Sequence, residues 1–211
     1  MNYKRSNLSL EQRAYNIRRH ALRMAEVQGQ GYIAQALGVA DVLAVSYFSA
    51  LNYRPLEPEW EGRDRFLLSI GHYAIALYAA LIEAGILPED EIETYGSDDS
   101  RLPMSGMAAY TPGMEITGGS LRQGLPIAIG MCLGLKRKAS QSFVYNLLSD
   151  GELNEGSTWE AAMSASSHKT RQSDCHRRCQ QHAGRRPMVE HPRFRAVDRQ
   201  VPGLRLACPA G

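Results

Sequence analysis

No stretch of 18 residues in this chain is apolar throughout, so no membrane-crossing helix and no membrane partner is expected. The opening residues, Met1-Asn-Tyr-Lys-Arg-Ser-Asn-Leu-Ser-Leu10, lack the apolar core of a secretory signal, and a cytoplasmic location is expected. There is no internal repeat and no low-complexity tract. Lysine is absent after Lys169, and cysteine is scarce before it. Cys132 stands alone in residues 1–169, whereas Cys175, Cys179 and Cys208 follow. What is there, 211 residues, suffices for one α/β domain with a real core.

The formal charge of +2 conceals a break in composition. Residues 170–211 hold nine Arg and three acids, an excess of +6, while residues 1–169 hold 15 Lys plus Arg against 19 acids, a balance of −4. One fold rarely changes composition so abruptly. The chain is therefore divided into a body, 1–169, and a tail, 170–211. The tail, with four Pro, nine Arg and little periodicity, reads as disordered. Its Cys175-His-Arg-Arg-Cys-Gln-Gln-His182 has the short Cys/His spacing of zinc ligands, and a basic tail is one form that nucleic-acid binding takes. On those readings the chain would be a non-catalytic binding protein.

The body alternates helices with short apolar runs. Glu11–Glu26 has helical spacing, with Ala14, Ile17, Ala21 and Met24 on one stripe, Ser9 as N-cap and Gly29-Gln-Gly31 as the break. A second helix is predicted from Leu37 to about Leu51. Phe66–Ser69 reads as a buried strand, and Gly71 opens a helix running to Gly85. Pro88–Ile92 begins another short helix, residues 96–113 read as loop, and Gly124–Leu135 reads as an apolar helix. Ser142–Leu148 reads as a second buried strand, followed by a turn at Asp150-Gly151 and an Ala-rich helix. The pattern predicts an α/β fold, a parallel sheet flanked by helices.

Three places carry chemistry. Asp150 stands at the C-terminal end of a strand and beside a helix N-terminus, where open α/β sheets bind phosphorylated ligands. Its carboxylate suits a hard cation such as Mg²⁺ that neutralises a diphosphate, and Gly151 allows close backbone approach. His72 follows Gly71 at a strand-to-helix turn and can donate to a phosphate or a substrate oxygen. Gly118-Gly-Ser-Leu-Arg-Gln-Gly124 is a Gly-rich turn into a helix, a shape that can hold phosphate by backbone N–H groups. Each feature alone is more often an ordinary turn or cap.

Together they are more specific. Leu148-Ser-Asp-Gly-Glu-Leu-Asn-Glu-Gly-Ser-Thr-Trp-Glu-Ala-Ala-Met163 resembles the thiamine diphosphate motif of transketolases, with Ser149 where that family has Gly. Arg63-Asp-Arg-Phe-Leu-Leu-Ser-Ile-Gly-His72 resembles the family segment whose His contacts the cofactor's diphosphate. Gly119, Ser120 and Leu121 match a turn whose backbone lies along the thiamine, although Arg122 replaces a Gly. The resemblance spans residues 10–169 and corresponds to the diphosphate-binding half of the thiamine diphosphate-binding fold, truncated. It implies thiamine diphosphate held by His72, Gly119, Ser120, Leu121, Gly151 and Glu155, with Mg²⁺ on Asp150. It further implies transfer of a two-carbon ketol unit between sugar phosphates. The pyrimidine-binding half, with the glutamate that activates thiamine, is missing. The chain thus looks like the N-terminal subunit of a split transketolase, whose partner is a C-terminal subunit and not a nucleic acid. A deoxyxylulose phosphate synthase-like enzyme or a dehydrogenase subunit is the alternative among thiamine diphosphate enzymes.

Two departures bear on the substrate. Tyr32, in Gly31-Tyr-Ile-Ala34, and Ser105, in Pro103-Met-Ser-Gly106, stand where the family has substrate-contacting histidines. That points away from the usual pentose phosphates and toward another ketose phosphate, such as a branched one. A third departure is the tail. Read one base later, the degenerate codons of Lys169–His182 permit Leu-Asp-Asn-Leu-Ile-Ala-Ile-Val-Asp-Val-Asn-Asn-Thr, the strand and turn that follow the Trp-Glu-Ala helix in transketolases. Gln180 and Gln181 allow only Asn or Ser in that frame. We infer a frameshift at the Lys169 codon. It removes the family's second Mg²⁺ ligand, an Asn at the position of Gln180, and leaves the form written here without activity.

Overall fold

This computed structural model describes residues 7–168, 173–178 and 206–207, the last two stretches by backbone alone. The chain divides into two compact units. One contains residues up to Asp64 together with Gly71–Gly119, and the other contains Arg65–Ile70 and the residues from Ser120 onward.

The first unit is helical. Helix α1 (Leu10–Gln28) begins with a capping box in which Ser9 Oγ accepts from Gln12 N–H and Gln12 Oε1 accepts from Ser9 N–H. Its predicted stripe, Ala14, Ile17, Ala21 and Met24, is fully buried. Helix α2 (Ile33–Val45) starts at Ile33 rather than Leu37, because nothing after Gly31 interrupts a helix. It continues as a π-helical turn, Ser46–Ala50, closed by Leu51 N–H on Ser46 O at 2.8 Å. Ile33–Ala50 is long and apolar enough to cross a membrane, with a mean hydropathy of 1.5 over 18 residues, so the expectation that no such stretch exists is corrected. The high average has a packing cause. Ala36, Val39, Ala40, Leu43, Ala44 and Tyr47 are buried within the fold, while Gln35 and Asp41 break the run without lowering the average enough.

Helix α3 (Ala74–Glu83) follows a 3₁₀ turn, Gly71–Tyr73, and is buried at every residue from Ala74 to Ile82, as its unbroken apolar sequence requires. Pro88 precedes a 3₁₀ helix, Glu89–Thr94. The loop beyond it is tied down by polar contacts: Tyr78 Oη donates to Pro103 O at 3.0 Å, Thr111 Oγ1 to Arg101 O at 2.6 Å, and Gly96 N–H to Leu102 O at 2.9 Å.

The second unit is a parallel sheet flanked by helices. Its strands are β1 (Arg65–Leu68), β2 (Val144–Ser149), β3 (Ser173–Arg178) and β4 (Leu206–Ala207), in the order β1-β2-β3-β4. Leu67 pairs with Asn146, which pairs with Cys175. β1 and β2 are buried along their whole length, which is why they read as continuous runs rather than alternating ones. Helix α4 (Gly124–Arg137) and helix α5 (Gly156–Ser167) pack on the sheet through Leu125, Ile129, Leu148, Ala161 and Ala165. Two short strands thus come from residues 170–211. The side chains of Cys175 and His176, and all of Cys179, Gln180, His182 and Cys208, lie outside the described residues.

Candidate functional site

The predicted site residues fall on both units. In the first, three glycine segments meet. Gly106 N–H donates to Gly71 O at 3.4 Å, and Gly118 N–H donates to Gly106 O at 3.0 Å. The approach is so close that a Cβ at Gly71 would overlap the backbone of Gly118 and Gly119. This seam gathers His72, Ser105 and Gly119, each next in sequence to one of those glycines. His72 is half-buried and meets the ring of exposed Tyr32 edge to face (centroids 5.6 Å apart, planes at 73°). Tyr32 and Ser105, the two residues that replace histidines, therefore lie with His72 and Gly119 in this unit. Gly119 has φ 151°, and the nearest neighbour of a Cβ there would be Ser105 Oγ at 3.9 Å.

In the second unit, Asp150 is half-buried at the C-terminal end of β2. It caps a 3₁₀ turn, Gly151–Asn154, that leads into α5. Gly151 is open, with Ser149 Oγ the nearest atom to a Cβ there at 3.8 Å. Arg122 has φ 79°, the left-handed conformation that suits the Gly it replaces. Its side chain runs to Glu155, Nη1 to Oε2 at 3.1 Å, in a pair that is half-exposed. Ser120 and Leu121 lead into this residue, so the turn keeps a glycine-like backbone while its arginine is engaged with the residue that precedes α5.

Sequence reasoning missed the residues that hold this unit's pieces together. Glu152 is 0% exposed. Its carboxylate accepts from Ser69 Oγ, from Arg122 N–H at 2.9 Å, and from Ser149 N–H at 2.9 Å and Ser149 Oγ at 3.3 Å. Ser69 Oγ in turn accepts from Gly124 N–H at 3.1 Å, and a Cβ at Gly124 would overlap the serine. The Glu152 carbonyl accepts from Thr158 Oγ1 at 2.7 Å. A glutamate in the acidic string Asp150-Gly-Glu-Leu-Asn-Glu155 carries no sequence signal of burial.

Among the described residues no three His, Cys, Asp or Glu side chains converge as metal ligands. Asp150 therefore offers one carboxylate at a strand end. That donor fits a hard cation that completes its shell with diphosphate oxygens, water and a further oxygen ligand. The N–H groups at the start of α5 and the openness of Gly151 fit an anion.

Comparison with known proteins agrees with this arrangement. The family profile for the transketolase thiamine diphosphate binding domain matches residues 10–172. A transketolase family protein of Sinorhizobium fredii is 82% identical over 163 residues, covering 77% of this chain and 58% of its own. One of the subunits of the apulose-4-phosphate transketolase of Actinobacillus succinogenes is 39% identical, covering 79% and 61%. The transketolase of Campylobacter jejuni superposes with a TM-score of 0.79 at 27% identity, covering 89% of this chain and 32% of that one. The chain thus spans about three-fifths of the length of the first two. With its α/β sheet, its Asp150 strand end and its glycine seam, the chain belongs to the transketolase family, whose thiamine diphosphate binding domain is matched by residues 10–172.

Proposed function

We propose that this chain derives from the N-terminal, thiamine diphosphate-binding subunit of a two-subunit cytoplasmic transketolase that acts on a ketose phosphate outside the usual pentose set. The observation that carries the proposal is Asp150 at the end of β2, next to the Gly151–Asn154 turn, inside a family match running from residue 10 to 172. Relatives named as transketolase subunits, one for apulose-4-phosphate and one for 6-deoxy-6-sulfo-D-fructose, support both the split architecture and the unusual sugar. Tyr32 and Ser105, neutral hydroxyl-bearing groups gathered near His72, support the same choice.

When bound, thiamine diphosphate supplies the carbanion and the electron sink for moving a two-carbon ketol unit. The protein's part is to hold it. Asp150 takes Mg²⁺. Gly151 and the first amides of α5 would receive the diphosphate, and the resemblance assigns His72 a phosphate contact. Gly119, Ser120 and Leu121 would offer backbone contacts to the thiamine, and Glu155, its charge balanced by Arg122, would line the site. A C-terminal subunit brings the remaining half of the fold.

The reading frame after Lys169 departs from that design. The family match ends at residue 172, close to the composition break after Lys169, and a frameshift at the Lys169 codon is our reading of that break. The form written here then lacks the second Mg²⁺ ligand and turns over no substrate. Resequencing that codon, then assaying both the frame-restored chain and this one with the C-terminal subunit, tests the proposal. Ketol transfer is expected only from the restored chain. Robust turnover by this one contradicts the inactivation, and none by either contradicts the assignment.

A further inference from the structure

A fully buried carboxylate is expensive unless every lone pair finds a donor. Glu152 meets that condition with neutral partners, and the identity of those partners is informative. Ser69 lies just past the end of β1, Ser149 is the last residue of β2 and precedes Asp150, and Arg122 follows Leu121. Each donor is thus within two residues in sequence of a predicted cofactor-holding residue or of the Gly71-His72 turn. Ser149, which replaces a family Gly, contributes its hydroxyl as an additional donor. Ser69 passes the link on to Gly124, the first residue of α4. One side chain therefore joins two strand ends, the Ser120–Gln123 turn and the start of α4. Its own carbonyl anchors α5 through Thr158.

We propose that Glu152 is the positioning residue of the cofactor-binding strand ends: it fixes the Ser120–Gln123 turn against Ser149-Asp150, so that the turn and the Asp150 carboxylate present themselves together to a metal-bound diphosphate. This rests on the thiamine diphosphate reading above. In Glu152→Gln one carboxylate oxygen becomes an NH₂ that faces donors in either orientation of the amide, while the volume is unchanged.

The test uses two readouts: amide hydrogen exchange of the full chain, and calorimetric titration of the frame-restored chain with thiamine diphosphate in the presence of Mg²⁺ and the C-terminal subunit. Glu152→Gln is expected to speed exchange at least tenfold at Arg122, Gly124 and Ser149, and to weaken cofactor affinity at least tenfold. Ser9→Ala, which removes half of the capping box of α1, is the structural control. It lowers the thermal midpoint and leaves the cofactor affinity unchanged. Should Glu152→Gln fail to fold, Ser69→Ala replaces it, with faster exchange at Gly124 and weakened affinity expected. Unchanged exchange at these amides overturns the proposal, and so does faster exchange with unchanged cofactor affinity. A frame-restored parent that takes up no thiamine diphosphate refutes the functional reading instead, and the exchange data still decide whether Glu152 holds the turn.

Discussion

Asn146 sits in the middle of β2, 2% exposed, with no partner for Nδ2 or Oδ1 among the described residues. Burying an unpaired amide costs on the order of 1–3 kcal/mol, and replacing it by an apolar group of similar shape recovers that loss. Asn146→Val, which also suits a strand, is therefore expected to raise stability by about 1–3 kcal/mol, read as a higher denaturant midpoint with an unchanged slope. Arg122 illustrates a different balance. Its left-handed backbone costs roughly 1 kcal/mol relative to glycine, and its half-exposed pair with Glu155 returns at most about that amount. Asp150, His72 and Gly119 stand out in the sequence because each belongs to a local string that resembles a family motif. Glu152 was not, because its role depends on Ser69 and Arg122, distant in sequence, and a glutamate between two other acids looks solvated.

At the scale of elements, α1 and α3 are joined by a buried polar cluster as well as by apolar packing. Arg13 Nη1 meets Glu83 Oε1 at 2.6 Å, Asn16 Nδ2 donates to the same oxygen at 3.1 Å, and His20 Nε2 lies 3.4 Å from Glu83 Oε2. Burial pushes the Glu83 carboxyl up, but the hydrogen bonds from His20, Asn16 and Arg13 together outweigh it and hold the group below its ordinary value. A depressed carboxyl stabilises the fold above its unfolded pKa, and that contribution is lost as the pH falls through the folded value. Thermal midpoints measured against pH should thus fall below the ordinary glutamate range in the parent, and this part of the fall should vanish in Glu83→Gln. Glu83→Ala leaves buried Arg13 unpaired and is expected to cost about 3–5 kcal/mol. At the other end of α1, Ser9→Ala removes one half of the capping box and should cost about 1 kcal/mol by chemical denaturation. The helices were legible from period and caps. The early start of α2 and its π-helical end were not, because both depend on where the chain must turn after Gly31 and before Leu51 rather than on any local breaker.

At the scale of the whole molecule, the family match and the composition break fall within a few residues of each other, residue 172 against Lys169. The parallel sheet was legible from its two apolar runs. The division into two units was not, since β1 is separated from the rest of its sheet by a long helical insertion that reads as part of one domain. The most direct measurement of the central claim is calorimetric titration of Mg²⁺ with thiamine diphosphate, in the presence of the C-terminal subunit, into this chain, the frame-restored chain and the frame-restored Asp150→Asn variant. The account predicts tight, Mg²⁺-dependent uptake by the restored chain alone, weakened at least a hundredfold by Asp150→Asn and in the form written here. Uptake that is equally tight in all three, or indifferent to Mg²⁺, would contradict it.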